Sequence, residues 1–243
     1  MTARRASSNS AGGGGGLPRR PHRRRICDPF KFDLGLLAER RRITDAADLR
    51  LAGADEAGRG CLAGPLVTAA VVLDYSAAPF ARLNGLTDSK LLTPGAREAM
   101  YGEILCSAAR VSCVACSPFT IDRMGLHRCN VSALASALES LDGEYGLAVV
   151  DGFDVQRSDL NAWPINGADY KSAVVGAASV VAKVVRDRVM RAAALRYPEY
   201  GFEEHVGYAT IRHREALRRH GPCPFHRLSF QGVTPRVLEL WDE

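Results

Sequence analysis

LAGADEAGRGCLAGPLVTAAVVLD, residues 51–74, is the stretch of sequence that decides the fold. It opens with an apolar run that carries two adjacent acids, Asp55 and Glu56, passes through a turn rich in glycine, and continues from Leu66 as a β-branched run. Apolar runs of this kind, bounded by glycine and proline, are typical of strands. The stretch therefore predicts two antiparallel strands, with two carboxylates near the end of the first.

Further helices and strands are predicted on both sides of this pair. Thr93 followed by Pro94 marks the start of a helix of about fifteen residues, and Ser172 caps a long helix that reaches about Tyr197. Residues 147–151 are typical of a buried strand that delivers an acid at its end. The remaining predicted elements are a helix over 30–41, a strand over 111–116, and helices over 130–141 and 211–220.

Composition predicts one main domain preceded by a tail. The chain has 243 residues, 47% apolar and 24% charged, which is enough to bury one substantial core. The net charge of +5 is misleading, because residues 1–27 hold seven arginines and no acid and the rest is close to neutral. We expect 1–27 to be a disordered Arg- and Gly-rich tail, a solvated leader rather than a polyanion-binding arm, and 28–243 to be the folded domain. Any nucleic-acid contact of that domain must come from a local patch.

The sequence gives no sign of a membrane segment or of secretion. No stretch approaches the ~18 apolar residues that a spanning helix needs, and no apolar segment follows the N-terminal arginines. Seven cysteines, an odd number, fit reduced thiols in a large intracellular chain. We therefore expect a cytoplasmic protein without a membrane partner.

Two motifs that could suggest other functions are rejected. The Gly-x-Gly-x-x-Ala match at Gly58, Gly60 and Ala63 precedes Pro65 and a strand, whereas a dinucleotide site needs a helix there. Cys113 and the nearby cysteines have a spacing that fits no common zinc finger and lie on a predicted strand. We interpret them as packing residues.

Four acids at the ends of predicted elements indicate a metal site. Asp55 and Glu56 lie in one strand, Asp151 ends another, and Asp169 precedes the long helix. Carboxylates are the ligands of Mg²⁺ and Mn²⁺, and two such ions can hydrolyse a phosphodiester. Any single acid could equally face solvent. Neighbours on a strand point to opposite faces, so Asp55 and Glu56 can share a site only if the strand bulges near Gly58 or Glu56 reaches round the edge.

Ordered blocks of sequence resemble one known family, ribonuclease HII, over roughly residues 49–230. The blocks are DEAGRG at 55–60 with LAGP at 62–65, LTDSK at 86–90, VDG at 150–152, DYK at 169–171, AASVVAKVVRD at 177–187, HVGY at 205–208 and HRLSF at 226–230. The resemblance implies an α/β fold, a ribonuclease H-like mixed sheet flanked by helices, with a C-terminal helical extension that belongs to the catalytic domain 28–243.

The resemblance also implies an activity. The family hydrolyses the RNA strand of RNA/DNA hybrids and cuts on the 5′ side of ribonucleotides embedded in duplex DNA by a two-metal-ion mechanism, leaving 3′-hydroxyl and 5′-phosphate ends. Its cofactor is Mg²⁺ or Mn²⁺. The implied catalytic and metal-binding residues are Asp55, Glu56, Asp151 and Asp169, and the implied substrate-binding residues are Gly58, Arg59, Gly60, Lys90 and Tyr208.

The substrate roles have a physical basis. Glycines allow the backbone to approach a ribose 2′-hydroxyl closely, and the flat face of Tyr208 suits a sugar at the RNA-to-DNA junction. Further candidates for phosphate contacts are Lys171, Lys183, Arg186 and Arg227, each of which could equally be a solvated side chain or an ion-pair partner.

The family commonly has Lys where Val206 stands and Asn where Thr87 stands, which predicts one backbone phosphate contact fewer. The expected partners are an RNA/DNA hybrid and ribonucleotide-containing duplex DNA, bound by a monomer, with a sliding clamp as a further partner. Two alternatives stay open: a non-catalytic hybrid-binding module with a ribonuclease H-like fold, and a transposase- or resolvase-like nuclease.

Overall fold

The protein is described from a computed structural model, which covers residues 28–44, 48–86, 89–143 and 145–234. The predicted tail, residues 1–27, and the last residues, 235–243, lie outside the described residues, as does Thr87. The prediction of a disordered tail therefore stays a prediction. In the described part of the chain, no helix is long and apolar enough to cross a membrane.

The described residues form seven α-helices and five strands. The helices are α1 (Pro29–Thr44), α2 (Pro94–Ser107), α3 (Pro118–Met124), α4 (Leu126–Glu139), α5 (Ala173–Arg196), α6 (Phe202–His205) and α7 (Ile211–His220). The strands are β1 (Arg50–Ala57), β2 (Leu66–Asp74), β3 (Arg110–Cys116), β4 (Leu147–Asp151) and β5 (Ala162–Ile165). Thr93 and Ser172 accept hydrogen bonds from backbone N–H groups in the first turns of α2 and α5, as their positions predict.

The five strands form one mixed sheet in the order β3-β2-β1-β4-β5. β1 and β2 are antiparallel over Arg50↔Asp74 to Ala57↔Val67, as the opening stretch predicts, and β3 continues that antiparallel half. β4 lies parallel to β1, and β5 parallel to β4. The carboxyl ends of β1 and β4 therefore meet at the same edge of the sheet, where Asp55 and Asp151 lie.

Each face of the sheet is covered by helices. α5, with α1 and α2, covers the face formed by Leu51, Val149 and their neighbours, and α4 covers the face formed by Ala52, Val150 and theirs. A Cβ on Gly53 would stand 2.5 Å from a backbone carbon of Val174, so only glycine lets β1 and α5 approach this closely. α5 is consequently packed directly beneath the strand that carries Asp55.

The C-terminal region packs as a separate apolar cluster against the end of α5. Its buried members come from α5, α6, α7 and the segments around Leu62 and Val233. The observed sheet and helices confirm the predicted α/β fold with its C-terminal helical part. The largest difference in a predicted helix boundary is at α4, which begins at Leu126 instead of residue 130, because Gly125 at φ +83° separates it from the short α3. The short elements α3, β5 and α6 were not predicted.

Candidate active site

Asp55 and Glu56 lie at the end of β1 on opposite faces of the sheet. The pairing of β1 with β2 is regular through Ala57↔Val67, so no bulge turns the strand. Asp55 points to the face that α5 covers, and Glu56 follows Ala52 and Ala54 on the face that α4 covers. Of the two possibilities raised by the sequence, the bulge is therefore excluded, and Glu56 can meet the other acids only by reaching round the end of the sheet.

Asp151 and Asp169 complete the group from neighbouring elements. Ala54 pairs with Val150, which places Asp151 beside Asp55 where β4 ends. One Asp151 carboxylate oxygen accepts a hydrogen bond from the backbone N–H of Ala168, at 2.7 Å. Asp169 follows directly, in a 3₁₀ turn that leads into α5. Four acids from three separate segments of the chain thus lie at one end of the sheet.

Burial and neighbouring negative charges raise the pKa values of Asp55, Glu56 and Asp151. Burial, followed by the charge of Glu56 and that of Asp151, raises the pKa of Asp55 well above its usual range. Burial raises the pKa of Glu56 to about 7, with Arg59 opposing the shift and Asp151 adding to it. The pKa of Asp151 is raised by burial and then by the charge of Asp169. The acids disfavour one another's charged forms, which is the condition that a bound cation relieves.

The donor set fits a hard divalent cation. All four side chains offer carboxylate oxygens, and Oε2 of Glu56 is buried with no hydrogen-bond partner among the described residues. In the described positions no three His, Cys, Asp or Glu side chains converge on a point that could hold a metal ion. The carboxylates engage other partners there: Asp55 accepts from the Glu56 N–H at 2.7 Å, and Asp169 from Lys90 Nζ at 3.2 Å. Binding a cation therefore requires rotation of these side chains.

The loop at 58–65 follows β1 and passes beside the acids. Gly58 has φ +95°, and a Cβ there would lie 2.0 Å from Nε of Arg186, so glycine is required. Gly60 is exposed, and no described atom outside its chain neighbours lies within 4 Å of the Cβ position. Nη1 of Arg59 lies 3.6 Å from Oε1 of Glu56, with the guanidinium over the Phe153 ring at 4.6 Å. The loop thus presents open backbone at Gly60.

Two buried guanidinium groups hold this loop. Arg186 is fully buried and donates to the carbonyl groups of Pro65, Val206 and Ala63 at 2.9 to 3.0 Å. Arg227 is also fully buried and donates to the carbonyls of Gly64 and Arg59, both at 3.0 Å. The prediction that Arg186 and Arg227 contact phosphates is wrong, because neither guanidinium reaches the surface. Their charges instead fix backbone that would otherwise be unpaired.

Tyr208 lies on the neighbouring loop, which is tied to the first. The backbone N–H of Leu62 donates to the Gly207 carbonyl at 2.9 Å, and a Cβ on Gly207 would collide with the Ala63 carbonyl oxygen at 2.4 Å. The Tyr208 ring is 43% exposed, with Lys183 Nζ at 5.3 Å from its centroid. Burial of the hydroxyl, and then the neighbouring Cys61, raise the pKa of Tyr208. An exposed aromatic face thus stands at a fixed position beside the loop of Gly60.

The remaining candidate cations are engaged within the protein. Lys183 Nζ pairs with Asp187 at 2.7 Å, and Lys171 Nζ donates to the Asn166 carbonyl at 2.6 Å. The side chain of Lys90 is 70% exposed and meets Asp169. Lys90, like Arg59 beside Glu56, therefore combines solvent access with contact to one of the acids.

A buried histidine network supports Tyr208, and the sequence reasoning did not identify it. His213 Nδ1 donates to the Tyr208 carbonyl at 2.8 Å, which leaves its Nε2 to accept from His226 Nε2 at 3.0 Å. His226 Nδ1 accepts from the Cys223 N–H at 3.0 Å, so each nitrogen of the pair has one defined role. His205 stacks on His213 with centroids 4.4 Å apart. The signal in the sequence was His205 and His226 within the HVGY and HRLSF blocks.

The fold and the site together define a class of protein. A mixed sheet with α5 and α4 on its two faces, and with four carboxylates at the carboxyl ends of its parallel strands, is the arrangement of a ribonuclease H-like, metal-dependent phosphodiester hydrolase. The family model for ribonuclease HII matches residues 52–233, and the chain belongs to the ribonuclease HII family. It is therefore a hydrolase, a metal-dependent endoribonuclease with ribonuclease H activity on RNA/DNA hybrids.

Individual relatives agree with this placement. A ribonuclease HII of Salinispora tropica is 44% identical over 214 residues, covering 84% of this chain and 78% of the relative. The crystal structure of the ribonuclease H2 from Pyrococcus horikoshii matches with a TM-score of 0.66 at 30% identity, covering 76% of this chain and 95% of that one. The Archaeoglobus fulgidus ribonuclease HII, solved in complex with PCNA, matches with a TM-score of 0.65 at 29% identity, covering 78% of this chain and 98% of that one.

Proposed function

We propose that this enzyme cuts on the 5′ side of ribonucleotides embedded in duplex DNA, as well as in the RNA strand of hybrids, leaving 3′-hydroxyl and 5′-phosphate ends. The observation that carries the proposal is the position of the acid cluster, Asp55, Glu56, Asp151 and Asp169, beside the open backbone of Gly60. The acid cluster supplies a hydrolytic site, and the open backbone of Gly60 supplies a place where the sugar of a ribonucleotide can be recognised.

The acid cluster would hold Mg²⁺ or Mn²⁺, in the two-ion arrangement that carboxylates from three elements can support. Such ions supply a water of lowered pKa and stabilise the charge on the leaving 3′ oxygen. Asp55 and Asp151, on adjacent parallel strands, would bind from one side of the sheet end and Glu56 from the other. Lys90, which reaches Asp169 and solvent, would bring positive charge to the phosphate next to the scissile bond.

Recognition of the ribonucleotide would rest on backbone groups of Gly58, Arg59 and Gly60. A 2′-hydroxyl is both donor and acceptor, so peptide N–H and C=O groups can recognise it, and the missing Cβ at Gly60 leaves room for the sugar. The loop is rigid enough for this purpose because Arg227 fixes the Arg59 carbonyl. The Tyr208 ring would pack on the sugar at the junction. Since the loop of Tyr208 is bonded to Leu62, both contacts keep a constant separation.

The decisive experiment is cleavage of a DNA duplex that contains one ribonucleotide, with Mg²⁺ or with Mn²⁺, beside the same duplex made only of DNA. We expect one product with a 5′ ribonucleotide end and no cutting of the control. Asp151→Asn should abolish cutting while the duplex still binds, whereas Asp154→Asn, an exposed acid nearby, should cut normally. Equal cutting of the all-DNA duplex would refute the 2′-hydroxyl mechanism. Cutting unchanged in EDTA would refute the role of the metal.

The alternative of a non-catalytic hybrid-binding module is disfavoured because it gives no reason to bury four mutually repelling acids at one place. For partners, we propose a monomeric enzyme that also binds a sliding clamp, as the Archaeoglobus fulgidus relative does with PCNA. Light scattering during size-exclusion chromatography, with and without a bacterial sliding clamp, tests both points. The cytoplasmic location stays a prediction.

A further inference from the structure

Asn130 is a fully buried side chain whose two polar atoms both lack a hydrogen-bond partner among the described residues. It lies on α4, on the side that packs against the sheet beside Cys129, Ala133 and Leu134. Buried amides are almost always paired, because an unpaired one has given up its hydrogen bonds to water without replacement. An unpaired amide in this position therefore needs an explanation.

The position of Asn130 over the sheet is fixed by a neighbouring hydrogen bond. Thr68 pairs with Glu56 across β1 and β2, and its hydroxyl donates to the Ala133 carbonyl of α4 at 3.0 Å. Asn130 is three residues before Ala133, one turn nearer the N-terminus of the helix. The first turns of α4 thus lie over the end of β1 from which Glu56 projects.

The amide of Asn130 faces the Glu56 carboxyl, where it acts to lower the pKa of Glu56, against the larger effect of burial. The two groups do not reach hydrogen-bond geometry, so Oε2 of Glu56 is also without a partner among the described residues. Arg59, the other neighbour, lies on the Oε1 side at 3.6 Å. One carboxylate oxygen thus has a cation beside it, and the other, like both polar atoms of the Asn130 amide, has no hydrogen-bond partner among the described residues.

Glu56 needs such a guide more than the other three acids do. Asp55 accepts from a backbone N–H, and so does Asp151, whereas Glu56 comes from the opposite face of the sheet and has a longer side chain. Its carboxylate must turn round the end of the sheet to meet theirs. Groups that hydrogen-bond to metal ligands fix the direction of those ligands, and their loss weakens metal binding.

We propose that Asn130 is a positioning residue for Glu56: its side-chain amide donates to Oε2 when the carboxylate turns to bind the divalent cation. The proposal rests on the function proposed above, because it takes Glu56 as a metal ligand. Asn130 does not touch substrate, since it is fully buried. The buried amide then has a hydrogen-bond partner in the metal-bound state.

The test compares wild type with Asn130→Leu, which has about the same shape and no donor. Mn²⁺ binding without substrate is measured by isothermal titration calorimetry, and unfolding in EDTA by circular dichroism. We expect about ten- to hundredfold weaker Mn²⁺ binding and a lower kcat with little change in KM. In EDTA the variant should be as stable as wild type or more so, because an unpaired buried amide has been removed. If Asn130 served only to stabilise the fold, the variant would be less stable than wild type in EDTA and would bind Mn²⁺ with wild-type affinity.

Three further variants make the result unambiguous. Asn130→Ala should show the same weak Mn²⁺ binding if the larger Leu does not fold. Ser112→Ala removes another hydrogen bond between the sheet and α4, to the Ala137 carbonyl, and should leave Mn²⁺ binding unchanged. Wild-type Mn²⁺ affinity in both Asn130 variants, or the same loss in Ser112→Ala, would overturn the proposal. Glu56→Gln distinguishes a failure of the positioning role of Asn130 from a failure of the proposed function. If this variant binds Mn²⁺ like wild type, Glu56 is not a metal ligand, and the metal site of the proposed function is wrong at that residue.

Discussion

Glu56→Gln is expected to stabilise the metal-free protein at pH 8. Burial raises the pKa of Glu56 from 4.5 to about 7, which means that the folded state holds the proton more firmly than the unfolded chain. The corresponding loss of stability is absent below the unfolded pKa and complete above the folded one. That difference in pKa is equivalent to about 3 kcal/mol. Glutamine imitates the protonated side chain and removes this destabilisation.

The assay is urea unfolding in EDTA, followed by circular dichroism from pH 4.5 to pH 8. The free energy of unfolding of the variant minus that of wild type should grow from near zero at the acid end to about 3 kcal/mol at pH 8. Exposed Glu203→Gln is the control and should give a flat, small difference. Adding Mg²⁺ should stabilise wild type much more than the variant. A difference that does not change with pH, or a variant that is less stable at pH 8, would refute the reasoning.

Two other predictions follow from the loops. Gly58→Ala should lose about 2 kcal/mol of stability or more, together with activity, because the new Cβ would strike Arg186 and φ at this residue is positive. Gly60→Ala should unfold like wild type but cleave poorly because its KM is higher. Equal urea unfolding midpoints for the two variants would contradict this. Burial lowers the pKa of His213 and of His226 from 6.5 to about 4. As the pH is lowered from 6.5 to 4, the unfolded chain therefore binds protons before the folded protein does, and the free energy of unfolding decreases. His226→Gln should flatten that part of the stability profile measured by urea unfolding, and an unchanged slope would show that the pair is not buried neutral.

Much of the fold was predictable because its signals are local. The apolar runs of β1, β2 and β4, and the caps Thr93 and Ser172, depend on neighbouring residues only, and they predicted elements that the structure confirms. The four acids could be proposed as a group because strand ends carry them. The region around Gly125 shows the limit, since the sequence predicted neither the short α3 nor the start of α4 at Leu126.

Roles that depend on burial could not be predicted from residue type. Arg186 and Arg227 were candidates for phosphate contacts because cations supply most of the contacts to a duplex backbone, yet both lie inside and hold carbonyl groups of the loop at 58–65. The sequence left open whether Glu56 meets Asp55 through a bulge or around the end of the sheet, and only the regular pairing of β1 with β2 excludes the bulge. Asn130 gave no signal at all, since an asparagine on a helix is ordinarily solvated.

The sequence by itself determined the secondary structure, the acids at the ends of the strands and the resemblance to the ribonuclease HII family, because each is written in residues that lie close together in the chain. The tertiary structure decided which faces those acids occupy, which cations are buried, and which histidines hold Tyr208. These depend on distances between residues far apart in the chain, and on how much water their packing excludes, quantities that no local pattern contains.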